Sequence, residues 1–193
     1  AAQLATFSLL MKGREDDRRL LERDLKLNVM ALQDSSGLNV ERLAASMDLA
    51  ALGLSRADLR MLAELFANAT TFGSLIKVPA LLAEKLTALG QLAEELSQDI
   101  FSATDLLRLG GLVRQAKVLA RRYSAVAANP PYLGLKNQVQ TIKSFLRDHY
   151  EGFDKDLFSA FVGRSFALLK RDGRLGLMTP IAWMFLPTHE HLR

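Results

Sequence analysis

The chain has 193 residues, 49% of them apolar and 24% charged, a balance that suits one globular domain with a buried core and argues against disorder. Its 25 basic and 21 acidic residues leave a net charge of +4 and a pI near 9.5, which permits a polyanionic partner without specifying one. The lack of cysteine excludes a disulfide framework and a thiolate metal site and fits a reducing cytoplasm, and no apolar run approaches the roughly 20 residues of a membrane span.

In chain order, Ala1 to Lys12 sets Leu4, Phe7, Leu10 and Met11 on one face of a predicted helix, with Gly13 as its stop. Arginines then cluster at positions 14, 18, 19 and 23, and basic residues cluster again at Arg114, Lys117, Arg121 and Arg122; the plain reading of each cluster is a solvated helix face. Leu25 to Leu32 carries apolar residues suited to a short strand that ends in Gln33-Asp34-Ser35-Ser36-Gly37. From Asn39 to Arg122 apolar residues recur three and four apart, which predicts about four helices, with breaks near Leu52-Gly53, Thr71 to Pro79, and Ile100 to Thr104. Within this stretch Ser55 and Asp58 form an N-cap with an acidic first turn. So much helix exceeds a simple strand-to-strand connection and predicts an insertion packed beside a sheet.

Tyr123 to Ala128 reads as a buried strand that empties into Asn129-Pro130-Pro131-Tyr132. A basic loop follows from Leu133 to Gln138 with Lys136 in it, then a helix from Val139 to Tyr150 and a break at Glu151-Gly152. Asp154 to Lys170 reads as an amphipathic helix, Arg171 to Arg174 as a turn, and Leu175 to Thr179 as a buried strand. Strands alternating with helices point to a doubly wound α/β sheet. Of the three histidines, only His189 and His191 share a weak ligand spacing, and no metal site is predicted.

The tetrapeptide carries the chemistry. An Asn amide oxygen accepts a hydrogen bond from an exocyclic amine, and a carbonyl stiffened by successive prolines accepts the second proton. Tyr132 adds a flat face on which a base extruded from a duplex can stack, and the loop bearing Lys136 could close over it. Asn-Pro also opens common turns, and Pro-Pro often marks a linker.

Asn129-Pro130-Pro131-Tyr132 after an apolar strand resembles motif IV of the S-adenosylmethionine-dependent methyltransferases that modify exocyclic or amide nitrogens, above all the adenine-specific DNA methyltransferases. Asp156 to Phe161, running into Gly163 to Lys170, resembles that family's next helix, and Asp172 to Trp183 its following turn, strand and loop. Ala1 to Lys12 is similar to the helix after the family's acidic ribose ligand. Together with Phe72-Gly-Ser-Leu-Ile76 inside the insertion, the wording is similar to the methyltransferases of BREX phage-exclusion systems. The likeness covers both ends of the chain and its middle only loosely.

The resemblance implies an α/β fold: a partial Rossmann-like methyltransferase sheet with a large helical insertion. Residues 1–37 and 123–193 would belong to the methyltransferase core and residues 38–122 to the insertion, which would touch DNA or a partner protein. The implied reaction is transfer of a methyl group from S-adenosylmethionine to the amino group of adenine in DNA, in phage defence or restriction-modification. Asn129, Pro130, Pro131 and Tyr132 would be catalytic; Asp34, Asn129, Asp156 and Phe161 would hold the cofactor; Tyr132, Lys136 and Trp183 would meet the DNA. Asp34 also fits ordinary turn chemistry, and Trp183 an ordinary core position. The implied partners are double-stranded DNA with a flipped adenine and other phage-defence proteins, with no membrane and no metal, in the cytoplasm.

The chain departs from the family pattern: no glycine-rich cofactor turn occurs, since Gly110-Gly111 follows no strand, and the acidic ribose ligand and a downstream target-recognition domain are likewise expected outside it. That turn and the acidic ribose ligand are expected upstream of Ala1, so the chain reads as an internal segment unable to bind cofactor well alone. Two alternatives remain: a methyltransferase of the same fold acting on protein glutamine or ribosomal RNA, and a non-catalytic DNA-binding scaffold unit.

Overall fold

The computed structural model describes residues 2–25, 27–95, 100–185, 187 and 190, leaving aside the side chains at 100, 101, 135 and 182. His189 and His191 lie outside the described residues, as do residues 96–99; the break predicted at Ile100 to Thr104 is corrected, because those residues form the first turn of a helix that continues to Ala120. Helix α1 spans Ala2–Asp16, α2 Val40–Ser46, α3 Arg56–Leu65, α4 Ala69–Phe72, α5 Ala80–Glu94 and α6 Ile100–Ala120. Strand β1, Tyr123–Ala128, leads through α7, Gln140–His149, and α8, Leu157–Leu168, into β2, Leu169–Leu177.

Helices α2, α3, α5 and α6 close the larger core. On α5 the buried residues are Leu82, Leu86, Leu89 and Leu92, one stripe at helical spacing, and Leu43, Leu59, Leu62, Phe66 and Leu109 complete it. At α3 the predicted cap is a full capping box: the Ser55 hydroxyl accepts from the Asp58 amide, and the Asp58 carboxylate accepts from the Ser55 amide at 2.8 Å. The fully buried Asp105 of α6 is matched by Arg42 of α2 at 2.6 Å and by the Asn39 amide at 3.2 Å, so this buried charge has its partners.

Two expectations near the start are corrected. Gly13 does not stop α1, because the Asp17 amide bonds the Gly13 carbonyl at 3.0 Å and carries the helical pattern on. The described residues of 25–32 form no strand. Leu32 packs on the helical core instead, and the Gln115 side chain of α6 bonds both the amide and the carbonyl of Gln33, filling the place of a neighbouring strand. The predicted break at Leu52-Gly53 is present, with Gly53 in the left-handed region.

The sheet consists of β1 and β2 in parallel, joined by the crossover through α7 and α8 that parallel strands require. Ala125 pairs with Arg174 and Ala128 with Leu177, yet Tyr123 pairs with Leu169. One residue of β1 thus stands against four of β2, and the turn expected at 171–174 is instead part of β2, where residues 170–173 make the unpaired stretch of this bulge and Arg174 is already paired. A Cβ on Gly173 would lie 2.7 Å from Leu169 Cδ2 and 3.1 Å from the Tyr123 carbonyl, so only glycine lets the strands meet there. The strands are less buried than predicted: β1 is partly buried at Tyr123, Val126 and Ala128 and exposed at Ser124, Ala125 and Ala127, with α8 packed along both strands. The chain is therefore helix-rich with a small parallel sheet, compatible with the expected α/β class.

A second core of Leu75, Leu146, Tyr150, Leu157 and Ala160 lies under α7 and α8. Leu133 and Phe161 pack against it, which sets the tetrapeptide beside a rigid floor.

Candidate functional site

The site grows from the carboxyl end of β1. The Met178 amide bonds the Ala128 carbonyl at 3.1 Å, so the strand is held to its last residue. Beyond it Pro130 is buried, whereas Asn129, Pro131 and Tyr132 are exposed, the last by 53%. The bend is seated through one proline and presents an amide and a phenol outward.

Asp156 fixes the bend from behind. Its Oδ1 accepts from the Phe158 amide at 3.1 Å, capping α8, and from the Leu133 amide at 3.3 Å. The Leu157 amide returns a bond to the Leu133 carbonyl at 3.1 Å, and Gln138 Nε2 donates to the same carbonyl at 2.7 Å. Tyr132 meets Phe158 edge to face, with centroids 6.3 Å apart at 90°, leaving its ring half in solvent. Lys136 sits exposed on the single helical turn Leu135–Asn137, which closes through the Asn137 amide and the Gly134 carbonyl at 2.9 Å.

Pro131 and Phe161 share a cavity of about 140 Å³, and its opposite wall is Thr71, Phe72 and Leu75 from the helical region. The structure thus gathers Pro131, Tyr132, Asp156 and Phe161 around the start of α8. Asp34, Lys136 and Trp183 stand on other elements.

Asp34 lines a separate cavity of about 580 Å³ with Thr70, Arg108 and Gln115. Its two carboxylate oxygens accept from the Thr70 amide and the Thr70 hydroxyl, each at 2.8 Å. These bonds, the backbone one first, hold its carboxyl below the usual range. Trp183 lies on the turn Ile181–Met184 past β2, partly buried, with Nε1 donating to Thr179 Oγ1 at 3.0 Å.

Sequence reasoning missed Arg164 and Tyr150. Arg164 is only 5% exposed; its Nε donates to the Ser74 carbonyl and a terminal nitrogen donates to the Leu119 carbonyl, each at 2.8 Å. Burial depresses its pKa and raises that of Tyr150, whose hydroxyl donates to the Leu75 carbonyl at 2.5 Å. The signal was present in the spacing: Arg164 follows Leu157 by seven and Phe161 by three, on the apolar face of α8.

Among the described residues no group of acidic or histidine side chains could hold a metal ion, and no helix is long and apolar enough to cross a membrane. The family model for the Eco57I restriction-modification methylase matches residues 1–193. The chain is 36% identical over 218 aligned positions to the adenine-specific methyltransferase BrxX of Escherichia coli O9:H4 (strain HS), and all of the chain is covered. It is 29% identical over 201 positions to the adenine-specific methyltransferase PglX of Lacticaseibacillus casei (strain Zhang), again over the whole chain. It spans 18% of the first relative's length and 16% of the second's.

Proposed function

The chain belongs to the Eco57I restriction-modification methylase family, and from that premise we propose that it is the part of an adenine-specific DNA methyltransferase that grips the target base. The reaction is transfer of a methyl group from S-adenosylmethionine to the exocyclic amine of a flipped adenine in double-stranded DNA, in restriction-modification or BREX-type phage defence. One observation carries the reading: the tetrapeptide stands at the carboxyl end of a parallel strand with Asn129 and Tyr132 open and Pro130 buried. In open α/β sheets that edge is where ligands bind. We take β1, α8 and β2 as part of a Rossmann-like sheet and residues 38–122 as a helical insertion beside it.

An aromatic amine is a poor nucleophile because its lone pair is delocalised into the ring. The Asn129 side-chain oxygen and the Pro130 carbonyl accept its two protons and draw the nitrogen toward a tetrahedral shape, bonds that strengthen most in the transition state. Tyr132 stacks on the purine from its half-open position. S-adenosylmethionine, when bound, supplies an electrophilic methyl group on a positively charged sulfur. Phe161 offers an aromatic wall beside Pro131 of the kind that suits a sulfonium, but the cavity they share, about 140 Å³ and lined by no Lys or Arg, is too small for the whole cofactor, so this wall would meet only a part of it. Asp156 acts by fixing the segment after the bend and Asp34 by fixing α4, since both carboxylates already accept from backbone amides. Lys136 and Trp183 are assigned to the DNA side.

The test is Asn129→Ala in the full-length protein that carries this chain. Adenine methylation is expected to vanish while the circular dichroism spectrum is kept. Normal adenine marks in sequenced DNA would refute the assigned role.

A further inference from the structure

Groups from distant parts of the chain converge on the segment from Thr70 to Lys77, which contains Phe72-Gly-Ser-Leu-Ile76. Asp34 holds Thr70 at one end through two bonds of 2.8 Å. Arg164 holds the Ser74 carbonyl and Tyr150 the Leu75 carbonyl. Lys77 Nζ donates to the His149 carbonyl at 2.8 Å and stands 3.9 Å over the Tyr150 ring. In the middle, the Phe72 ring lies parallel to Phe145, 4.0 Å away at 12°.

A buried guanidinium is costly unless it is bonded. Arg164 meets two main-chain carbonyls, one in this segment and one at Leu119, near the end of α6 and four residues before β1 begins. It therefore ties two points of the helical region, one in its middle and one near its end, to α8. Gly73 has φ +56° and ψ −140°, a conformation that side-chain-bearing residues avoid. What the ties hold is the wall of Thr71, Phe72 and Leu75 that faces Pro131 and Phe161.

We propose that Thr70 to Leu75 is a positioning element of the methyl-transfer site: it seats Pro131, and so sets the angle of the Asn129 amide and the Pro130 carbonyl, with Arg164 as the positioning residue that locks it to α8. The inference rests on the catalytic reading of the tetrapeptide given above. It gives the helical region a direct part in the chemistry.

The test compares Gly73→Ala, Arg164→Lys and Asn129→Ala in the full-length protein, with kcat, KM for duplex DNA and thermal midpoint read for each. A Cβ on Gly73 meets nothing within 4 Å, so Gly73→Ala acts on backbone conformation and not on packing. Both positioning variants are expected to lower kcat roughly 10- to 100-fold, a loss typical of a slight misplacement of reacting groups, with KM for DNA little changed. Arg164→Lys keeps the charge but cannot span both carbonyls, and it should retain more activity than Arg164→Ala. If either variant does not fold, Phe72→Leu decides, because it keeps an apolar wall and loses only the ring stack. Inactive Asn129→Ala beside wild-type kcat in the folded positioning variants overturns the inference alone. Wild-type methylation by Asn129→Ala overturns the catalytic reading beneath it.

Discussion

Tyr132 meets Phe158 at right angles and is 53% exposed, which leaves ring surface open to a stacking partner. Stacking a base on an aromatic ring is worth about 1–3 kcal/mol. Tyr132→Ala should raise KM for duplex DNA about tenfold or more, and Tyr132→Phe should restore most of it. Equal losses in the two variants would mean that the hydroxyl, not the ring, is used. At Asp34 the physics is acid–base. Its carboxyl lies below the ordinary value of 3.8 because the Thr70 amide and hydroxyl favour the ionised form. A folded pKa below the unfolded one gives stability that is present above the ordinary carboxyl value and lost as pH falls through the folded value. Urea midpoints measured from pH 6 down to pH 3 should therefore fall less steeply in Asp34→Asn than in the wild type. Parallel curves would mean that the two bonds to Thr70 do not favour the ionised carboxyl over the neutral one in the folded state.

Among the elements, α8 links local structure to the site because one carboxylate both starts the helix and ties down the loop after the bend. Losing a cap of this kind costs about 0.5–2 kcal/mol. Asp156→Ala should lower the unfolding free energy by about that much, while Asp156→Asn, which keeps the accepting oxygen, should lose less. A urea titration that ranks the two variants the other way would remove the capping role. Much at this scale was legible in the residues. The stripe of Leu82, Leu86, Leu89 and Leu92, the Ser55–Asp58 box and the apolar run of β1 each declare their element through local periodicity or capping chemistry. What was illegible depends on contacts across long separations. Residues 25–32 have an apolar pattern suited to a strand, yet the partner that settles their shape is Gln115, 82 positions from Gln33. The place of the tetrapeptide at a strand end could likewise be read directly. That Thr71 and Phe72 wall the cavity beside Pro131 could not, since it depends on Arg164 reaching Ser74 across 90 positions.

For the molecule as a whole, two cores matter differently. The larger one, around Leu89, binds α2, α3, α5 and α6 to one another, whereas the smaller one, around Leu146, lies beneath Pro131's cavity and the start of α8. Leu89 and Leu146 are both wholly buried, so truncating either to Ala removes comparable apolar contact and should cost about 2–5 kcal/mol. The kinetic outcomes should part. A cavity at Leu89 is separated from the bend by the clamped Thr70–Lys77 segment and should lower the melting temperature with kcat intact when assayed well below it. A cavity at Leu146 lets α7 and α8 settle, moves Phe161 and Leu133, and should lower kcat even in the fully folded protein. Single-turnover methylation at 10 °C for the two variants separates these cases. Equal kcat values would mean that the floor under the bend tolerates repacking, and that the angle of Asn129 is set by the Thr70–Leu75 wall and Asp156 without help from the core.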